Sequence, residues 1–374
     1  MASWSYTEPV DIIFGDGKIS EIAAITSSLH LERGLLIAGP HLIKDGTAQK
    51  IIDLPKSHLT DLFGNISPNP DVTEVDACAD LIRTRKNDFI VAVGGGSCLD
   101  LAKAAGCISG TEDSVRKYHG TGIPLPNHHI PLIAVPTTAG TGSEVTSVSV
   151  LSDHMQSKKA PIVSDSLYPD WAIVDPLLTI SMPPQITAST GIDTLCHAVE
   201  GYWSKNHQPI SDALAVHAAD LVFKWLLTAY QHGDDEVARD KMCEASLIAG
   251  LAFNLPKTTA SHACSFPLTN LYGIPHGEAC ALTLPYFMEV NARGPEGDRI
   301  ASFAIKLGFS SADELADGIR ELQNRMGMRT DLKDLHLTDD QLDELVKLSH
   351  HPNMLNNPVE ITDEILYDMY GKMK

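Results

Sequence analysis

The pair Pro183-Pro184 separates two kinds of pattern in this chain, and that change constrains the fold more than any other feature. Before it, short aliphatic runs alternate with helical stretches: Gly34-Leu35-Leu36-Ile37-Ala38, Phe89-Ile90-Val91-Ala92-Val93, Pro131-Leu132-Ile133-Ala134-Val135-Pro136 and Ala172-Ile173-Val174 read as buried strands. Such alternation predicts a mainly parallel sheet with helices on both faces. After it, apolar residues recur at three- and four-residue spacing, which predicts helices alone. The fold class expected is an α/β dinucleotide-binding domain over residues 1–183 and an all-α metal-binding domain over 184–374. Helices are expected at 187–203, 211–231, 236–253, 277–291, 295–307, 312–326 and 338–348.

The strand at 89–93 runs directly into Gly94-Gly95-Gly96-Ser97 and on to Asp100 and Lys103, a glycine turn that opens a helix. Glycines permit close backbone approach, and a helix N-terminus offers free N–H groups and a positive dipole end to a pyrophosphate. A tight strand-to-helix turn with no ligand uses the same residues. The strand at 131–136 feeds Thr137-Thr138-Ala139-Gly140-Thr141-Gly142-Ser143-Glu144, a hydroxyl-rich loop at the carboxyl end of a strand, where open α/β sheets bind their ligands.

In the helical half, Asp193 and His197 stand four residues apart in Gly191-Ile192-Asp193-Thr194-Leu195-Cys196-His197-Ala198-Val199-Glu200. On a helix they share one face, so carboxylate and imidazole can close on one cation. An Asp/His pair at this spacing is ordinarily a surface ion pair. Here it sits among apolar residues, where buried polar groups need partners. His262 and His276 have similarly apolar neighbours, and one carboxylate with three imidazoles suits Fe(II), Zn(II), Mn(II) or Co(II).

The formal charge of −20 argues against nucleic acid or an anionic membrane as partner. No apolar run approaches a membrane span, the start lacks a basic region followed by an apolar one, and the seven cysteines are scattered without a C-x-x-C pair. A cytoplasmic protein with reduced thiols is the expectation.

With these residues in hand, the chain resembles the iron-containing (group III) alcohol dehydrogenases over nearly its whole length. The matches are Gly94-Gly95-Gly96-Ser97-x-x-Asp100-x-Ala102-Lys103, Pro136 through Glu144, Ile173-Val174-Asp175-Pro176, Thr190-Gly191-Ile192-Asp193-x-x-x-His197-Ala198-x-Glu200 and Pro275-His276-Gly277. The resemblance implies an active cleft between the two domains and one metal, iron in the first instance, on Asp193, His197, His262 and His276. It also implies NAD(H), with NADP(H) as alternative, held by Gly39, Asn69, Gly94, Gly95, Gly96, Ser97, Asp100, Thr137, Thr138, Thr141, Ser143 and Lys159. A small aldehyde or alcohol is the implied partner, and a homo-oligomer, a dimer first, the implied assembly. Most relatives carry an aspartate at the end of the first strand where this chain has Gly39, so preference for NAD over NADP is open. Many carry a second histidine four residues after His262, where this chain has Phe266.

The approach to His262 reads Asn254-Leu255-Pro256-Lys257-Thr258-Thr259-Ala260-Ser261. Pro256 as first helical residue would leave the next N–H groups free beside Lys257, a pocket for an anion near the metal. Lys257, Thr258, Ser261 and Phe266 are therefore the expected substrate contacts. The segment also resembles the branch that reduces sulfoacetaldehyde or phosphonoacetaldehyde. The alternatives are a general short-chain primary alcohol or lactaldehyde dehydrogenase, a dehydroquinate-synthase-like lyase, and a non-enzymatic metal- or nucleotide-binding protein.

Overall fold

The computed structural model of the chain describes residues 3–156 and 158–374. It separates into two compact units, Thr7–Thr179 and Ile180–Lys374, the latter joined by residues 3–6.

The first unit is built on a six-stranded parallel sheet. Its strands are β1 (Asp11–Phe14), β2 (Gly34–Ala38), β3 (Leu59–Phe63), β4 (Phe89–Gly94), β5 (Leu132–Pro136) and, after a β6–β7 hairpin (Val148–Asp153 and Lys158–Val163), β8 (Trp171–Val174). Their order is β1-β8-β5-β4-β2-β3, with every pairing parallel. The central strands β2, β4 and β5 are buried throughout, which explains their continuous apolar sequence. Leu35, Ile37, Ile90, Ala92 and Ala134 face α4 (Val72–Arg85) and α5 (Gly96–Ile108). Leu36, Val91, Val93, Ile133 and Val135 face the opposite side, with α1 (Ile22–Ser28), α2 (Pro40–Lys44) and α3 (Thr47–Ile52).

Beyond β2 the chain goes outward to β3, then returns to place β4 on β2's other side and β5 beyond it. The winding therefore reverses between β2 and β4. Gly39 and Gly94-Gly95-Gly96 stand at the carboxyl ends of those two strands, the switch point at which such sheets bind ligands.

The second unit consists of α6 (Pro184–Trp203), α7 (Pro209–Gln231), α8 (Glu236–Phe253), α9 (Ala260–Tyr272), α10 (His276–Ala292), α11 (Gly297–Lys306), α12 (Ala312–Arg325), α13 (Asp339–Ser349) and α14 (Asp363–Met373), with short 3-10 turns. Helix α6 packs against α7, α8, α9 and α10 and is buried on all sides from Gly191 to Trp203, so its polar residues have no solvent to face. An α/β unit followed by a helical one matches the expected fold class.

Several elements were not expected. Strands β1 and β3 are short outer strands with exposed positions, and β3 mixes Thr60 and Asp61 into its run. Helix α9 carries Pro267 in its interior and α14 is a short terminal helix, and neither shows a long periodic stripe. Pro256 does not open a helix. Helix α8 ends at Phe253, residues 254–259 form an irregular loop in which Lys257 takes a left-handed φ of 66°, and α9 begins only at Ala260. All seven cysteines are buried and none forms a disulfide. Among the described residues, no helix is long and apolar enough to cross a membrane.

Candidate active site

Three helices of the second unit bring the metal-type residues together. Asp193, His197 and Glu200 lie on α6 at positions i, i+4 and i+7, on one face. His262 enters from α9 and His276 from the first position of α10. Helix α10 approaches α6 closely because residue 277 is glycine: a Cβ there would lie 1.9 Å from the Ser189 carbonyl oxygen and 2.8 Å from Asp193 Cβ. One ligand atom from each of Asp193, His262, His276 and Cys280 lies within 4.8 Å of the others. His197, the fourth expected ligand, is not in this group, where Cys280 stands instead; it is buried and stacks its ring at 4.7 Å on His262 and at 4.1 Å on Phe253.

The hydrogen-bond pattern suits a cation. Glu200 is fully buried; one of its oxygens accepts the Nδ1 proton of His262, and the other accepts the N–H groups of Thr259 (3.1 Å) and Ser261 (2.8 Å) and the Thr259 hydroxyl (2.7 Å). With Nδ1 protonated, Nε2 of His262 keeps its lone pair and faces Asp193 Oδ1 at 3.6 Å. Ser265 Oγ donates to the His262 carbonyl at 2.7 Å, so its contact with His276 Nδ1 at 3.2 Å is one in which the imidazole donates, leaving Nε2 of His276 as acceptor too. Asp193 Oδ1 and His262 Nε2 are buried without a hydrogen-bond partner. Two orphaned acceptors facing each other in an apolar interior are what a divalent cation would satisfy, and the donor set fits one. Burial pushes the Asp193 carboxyl up, against the pull of His276 and His262. Burial likewise pushes the Cys280 thiol well above its usual range.

The same contacts correct the expected anion pocket. The N–H groups at the start of α9 are not free for a substrate, because Glu200 takes them. Of the expected substrate residues, Thr258 is buried and its hydroxyl and carbonyl accept from Asn353 and Asn356 (2.8 and 3.0 Å). Ser261 Oγ is buried without a partner. Phe266 stands 6.2 Å from the His276 ring and 4.6 Å from that of His351. Lys257 is half-buried in the 254–259 loop.

In the first unit the expected nucleotide residues gather at the sheet's switch point. Gly94 pairs in register with Pro136, which sets the hydroxyl loop beside the glycine turn. A Cβ on Gly95 would lie 3.3 Å from Thr138 Oγ1, and one on Gly96 would lie 2.8 Å from Thr141 Cγ2, so the threonines close on the glycine backbone. Asn69, at a left-handed φ of 57°, donates its N–H to Ser97 Oγ (3.2 Å) and accepts from Lys159 Nζ (2.8 Å). Gly39 caps α2 with its N–H on the Val93 carbonyl, and Thr137 donates its N–H to the Gly94 carbonyl.

Asp100 and Ser143 turn to each other. Ser143 Oγ donates to Asp100 at 2.7 Å, and Lys103, only 2% exposed, donates to Ser143 Oγ (2.8 Å), Thr146 Oγ1 (3.2 Å) and the Val148 carbonyl (3.1 Å). This lattice fixes the hydroxyl loop to α5. Burial lowers the Lys103 ammonium to about 8 against the pull of Asp100, Glu144 and Glu8, and raises both Glu144 and Glu8 to about 7.

Residues 9–176 match the iron-containing alcohol dehydrogenase family, and residues 187–373 match the C-terminal part of the Fe-containing alcohol dehydrogenase family. The chain belongs to the iron-containing alcohol dehydrogenases. This dehydrogenase is similar to the crystal structure of sulfoacetaldehyde reductase from Bifidobacterium kashiwanohense in complex with NAD+, at 55% identity and a TM-score of 0.97, covering 100% of this chain and 99% of that one. It is 31% identical to alcohol dehydrogenase 4 of Saccharomyces cerevisiae (strain ATCC 204508 / S288c) over 366 residues, 96% of this chain and 95% of the relative. It is 32% identical to sulfoacetaldehyde reductase of Bilophila wadsworthia (strain 3_1_6) over 332 residues, 86% of each. Family membership makes the chain an oxidoreductase and sets aside the lyase and non-enzymatic alternatives.

The sequence assigns no role to Cys280, Ser265 or His351, and carries Glu200 only as part of a family motif. Glu200 and Cys280 were findable by spacing, since each shares a helix face with an expected ligand. Ser265 follows His262 by three residues, but its contact with His276, like the place of His351, depends on segments that only the fold brings together.

Proposed function

We propose that this dehydrogenase reduces a two-carbon aldehyde bearing an anionic group, sulfoacetaldehyde to isethionate in the first place, with NADH as hydride donor and Fe(II) as metal. The observation that carries the reading is the 55% identity, across the whole chain, to a sulfoacetaldehyde reductase. Phosphonoacetaldehyde, reduced to 2-hydroxyethylphosphonate, presents the same reacting end and a similar tetrahedral anion. Zn(II) and Mn(II) suit the same ligand chemistry, and NADPH is the alternative donor.

Asp193, His197, His262 and His276 would hold the metal, which when bound supplies Lewis acidity toward a carbonyl oxygen. Glu200 and Ser265 fix the imidazole tautomers so that acceptor nitrogens face the site. Phe253 against His197 and Phe266 beside His276 would give the site apolar neighbours. The nicotinamide supplies the hydride. Gly95, Gly96 and Ser97 would hold its pyrophosphate at the start of α5, Thr138 and Thr141 would border the nucleotide, and Asn69 with Lys159 would approach its ribose. With phenylalanine at position 266, no proton can pass through that side chain.

Buried reduced cysteines and the acidic charge support a cytoplasmic setting, and the family resemblance supports a homo-oligomer, a dimer first.

The test is NADH oxidation by Fe(II)-loaded protein with sulfoacetaldehyde, phosphonoacetaldehyde and propionaldehyde. A kcat/KM at least roughly tenfold higher for an anionic aldehyde, the size of one charge-assisted hydrogen bond, is expected. Equal efficiency with propionaldehyde would replace this reading with that of a general short-chain alcohol dehydrogenase.

A further inference from the structure

With the N–H groups of Thr259 and Ser261 committed to Glu200, side chains near the ligand cluster are the next candidates for recognising a substrate's far end. We propose that His351 is a specificity-determining residue, a neutral imidazole whose Nε2–H donates to the anionic group of the aldehyde. The inference rests on the substrate reading above.

Three observations carry it. The first is position: the His351 ring packs at 4.6 Å on Phe266, which packs at 6.2 Å on His276, so the imidazole is one aromatic ring removed from an expected metal ligand. The imidazole thus borders the ligand cluster without belonging to it, the place a group recognising the far end of a substrate would occupy.

The second is tautomer. The backbone N–H of Asn353 donates to His351 Nδ1 at 3.2 Å, so Nδ1 carries the lone pair and the proton sits on Nε2. Burial holds the imidazole below its usual range, so it stays neutral and keeps this acceptor role.

The third is rigidity. His351 caps the 3-10 turn Pro352–Asn356, and Asn353 and Asn356 of that turn donate to the hydroxyl and carbonyl of Thr258. The Asn206 amide binds Asn356 Oδ1 at 3.1 Å, and the Asn357 amide exchanges hydrogen bonds with that of Asn291. The donor is thereby held in place before substrate arrives, against the loop that carries Lys257.

Two variants separate recognition from structure. His351→Phe keeps a ring against Phe266 and removes both nitrogens, whereas His351→Asn keeps an oxygen able to accept the Asn353 N–H and removes the far donor. The readout, on Fe(II)-loaded protein of checked melting temperature, is the ratio of kcat/KM for sulfoacetaldehyde to that for propionaldehyde. In both variants the ratio should fall roughly tenfold or more, through KM for the anionic aldehyde. A purely structural role would lower both efficiencies in His351→Phe and spare the ratio in His351→Asn, overturning the inference. If one variant does not fold, the other carries the test. A wild-type ratio near one would overturn the substrate reading and this inference together, and a high wild-type ratio kept by the variants would overturn the inference alone. With phosphonoacetaldehyde as a further arm, a parallel fall assigns the donor to the shared tetrahedral oxyanion. A fall confined to one aldehyde assigns it to that headgroup.

Discussion

Glu200 and His262 are bonded through Nδ1 across the interior of the helical unit, and the same carboxylate closes the N-terminus of the helix that carries His262. One side chain thus sets the tautomer of an expected metal ligand and anchors its backbone. Glu200→Gln leaves a neutral acceptor in place of the carboxylate. It should weaken divalent metal affinity about 10- to 100-fold, the usual effect of losing a ligand's supporting carboxylate. Titration with Zn(II) against a competing chelator measures it, and unchanged affinity would show that the bond does not tune the site.

Gly277 sets how near α10 comes to α6. Gly277→Ala places a methyl group 1.9 Å from the Ser189 carbonyl, so the helices must separate and carry His276 away from Asp193. The expected cost is about 1–3 kcal/mol or more of stability, with loss of metal. Melting temperature and metal content measured together report both. A variant as stable and metal-loaded as wild type would contradict the packing.

Gly39 stands at the switch point with no carboxylate to repel a 2′-phosphate. NADPH should therefore be used alongside NADH. Gly39→Asp should raise the ratio of kcat/KM for NADH to that for NADPH. An unchanged ratio would place the adenosine ribose elsewhere.

The buried Lys103 and Glu144 with the partly buried Glu8 set a pH dependence of stability. Both glutamates titrate at about 7 in the fold against an ordinary 4.5, so between these values the folded state binds more protons than the unfolded one and stability falls as pH rises. Lys103 titrates at about 8 against 10.5, so between those values the unfolded state binds more protons and stability recovers as pH rises. From these groups, stability is lowest near pH 7 to 8. In Glu144→Gln the fall in melting temperature from pH 5 to 7 should be shallower than in wild type. An equal or steeper fall would contradict the assignment to Glu144.

What could be read from the sequence follows how locally each feature is encoded. The glycine turn and hydroxyl loop were legible because each is contiguous and the parallel register at Gly94 and Pro136 places them side by side. Asp193, His262 and His276 were legible from type and apolar setting. The role of Glu200 was not, because it depends on backbone groups of Thr259 and Ser261 brought from another helix. Helix α9 starts at Ala260 rather than at the expected Pro256, and Pro267 with small residues blurs its periodicity. The anion pocket inferred from Pro256 failed because a proline after a helix end serves an irregular loop as readily as a helix start.

Metal content and NADH binding, measured together on wild type and on Asp193→Ala, His197→Ala, His262→Ala, His276→Ala and Cys280→Ala, decide which side chains hold the ion. The expected result is one divalent ion per wild-type chain, lost in the four expected-ligand variants and kept in Cys280→Ala, with NADH affinity preserved in all. Retention of metal by His262→Ala and His276→Ala would show that these helices do not form the metal centre of the enzyme.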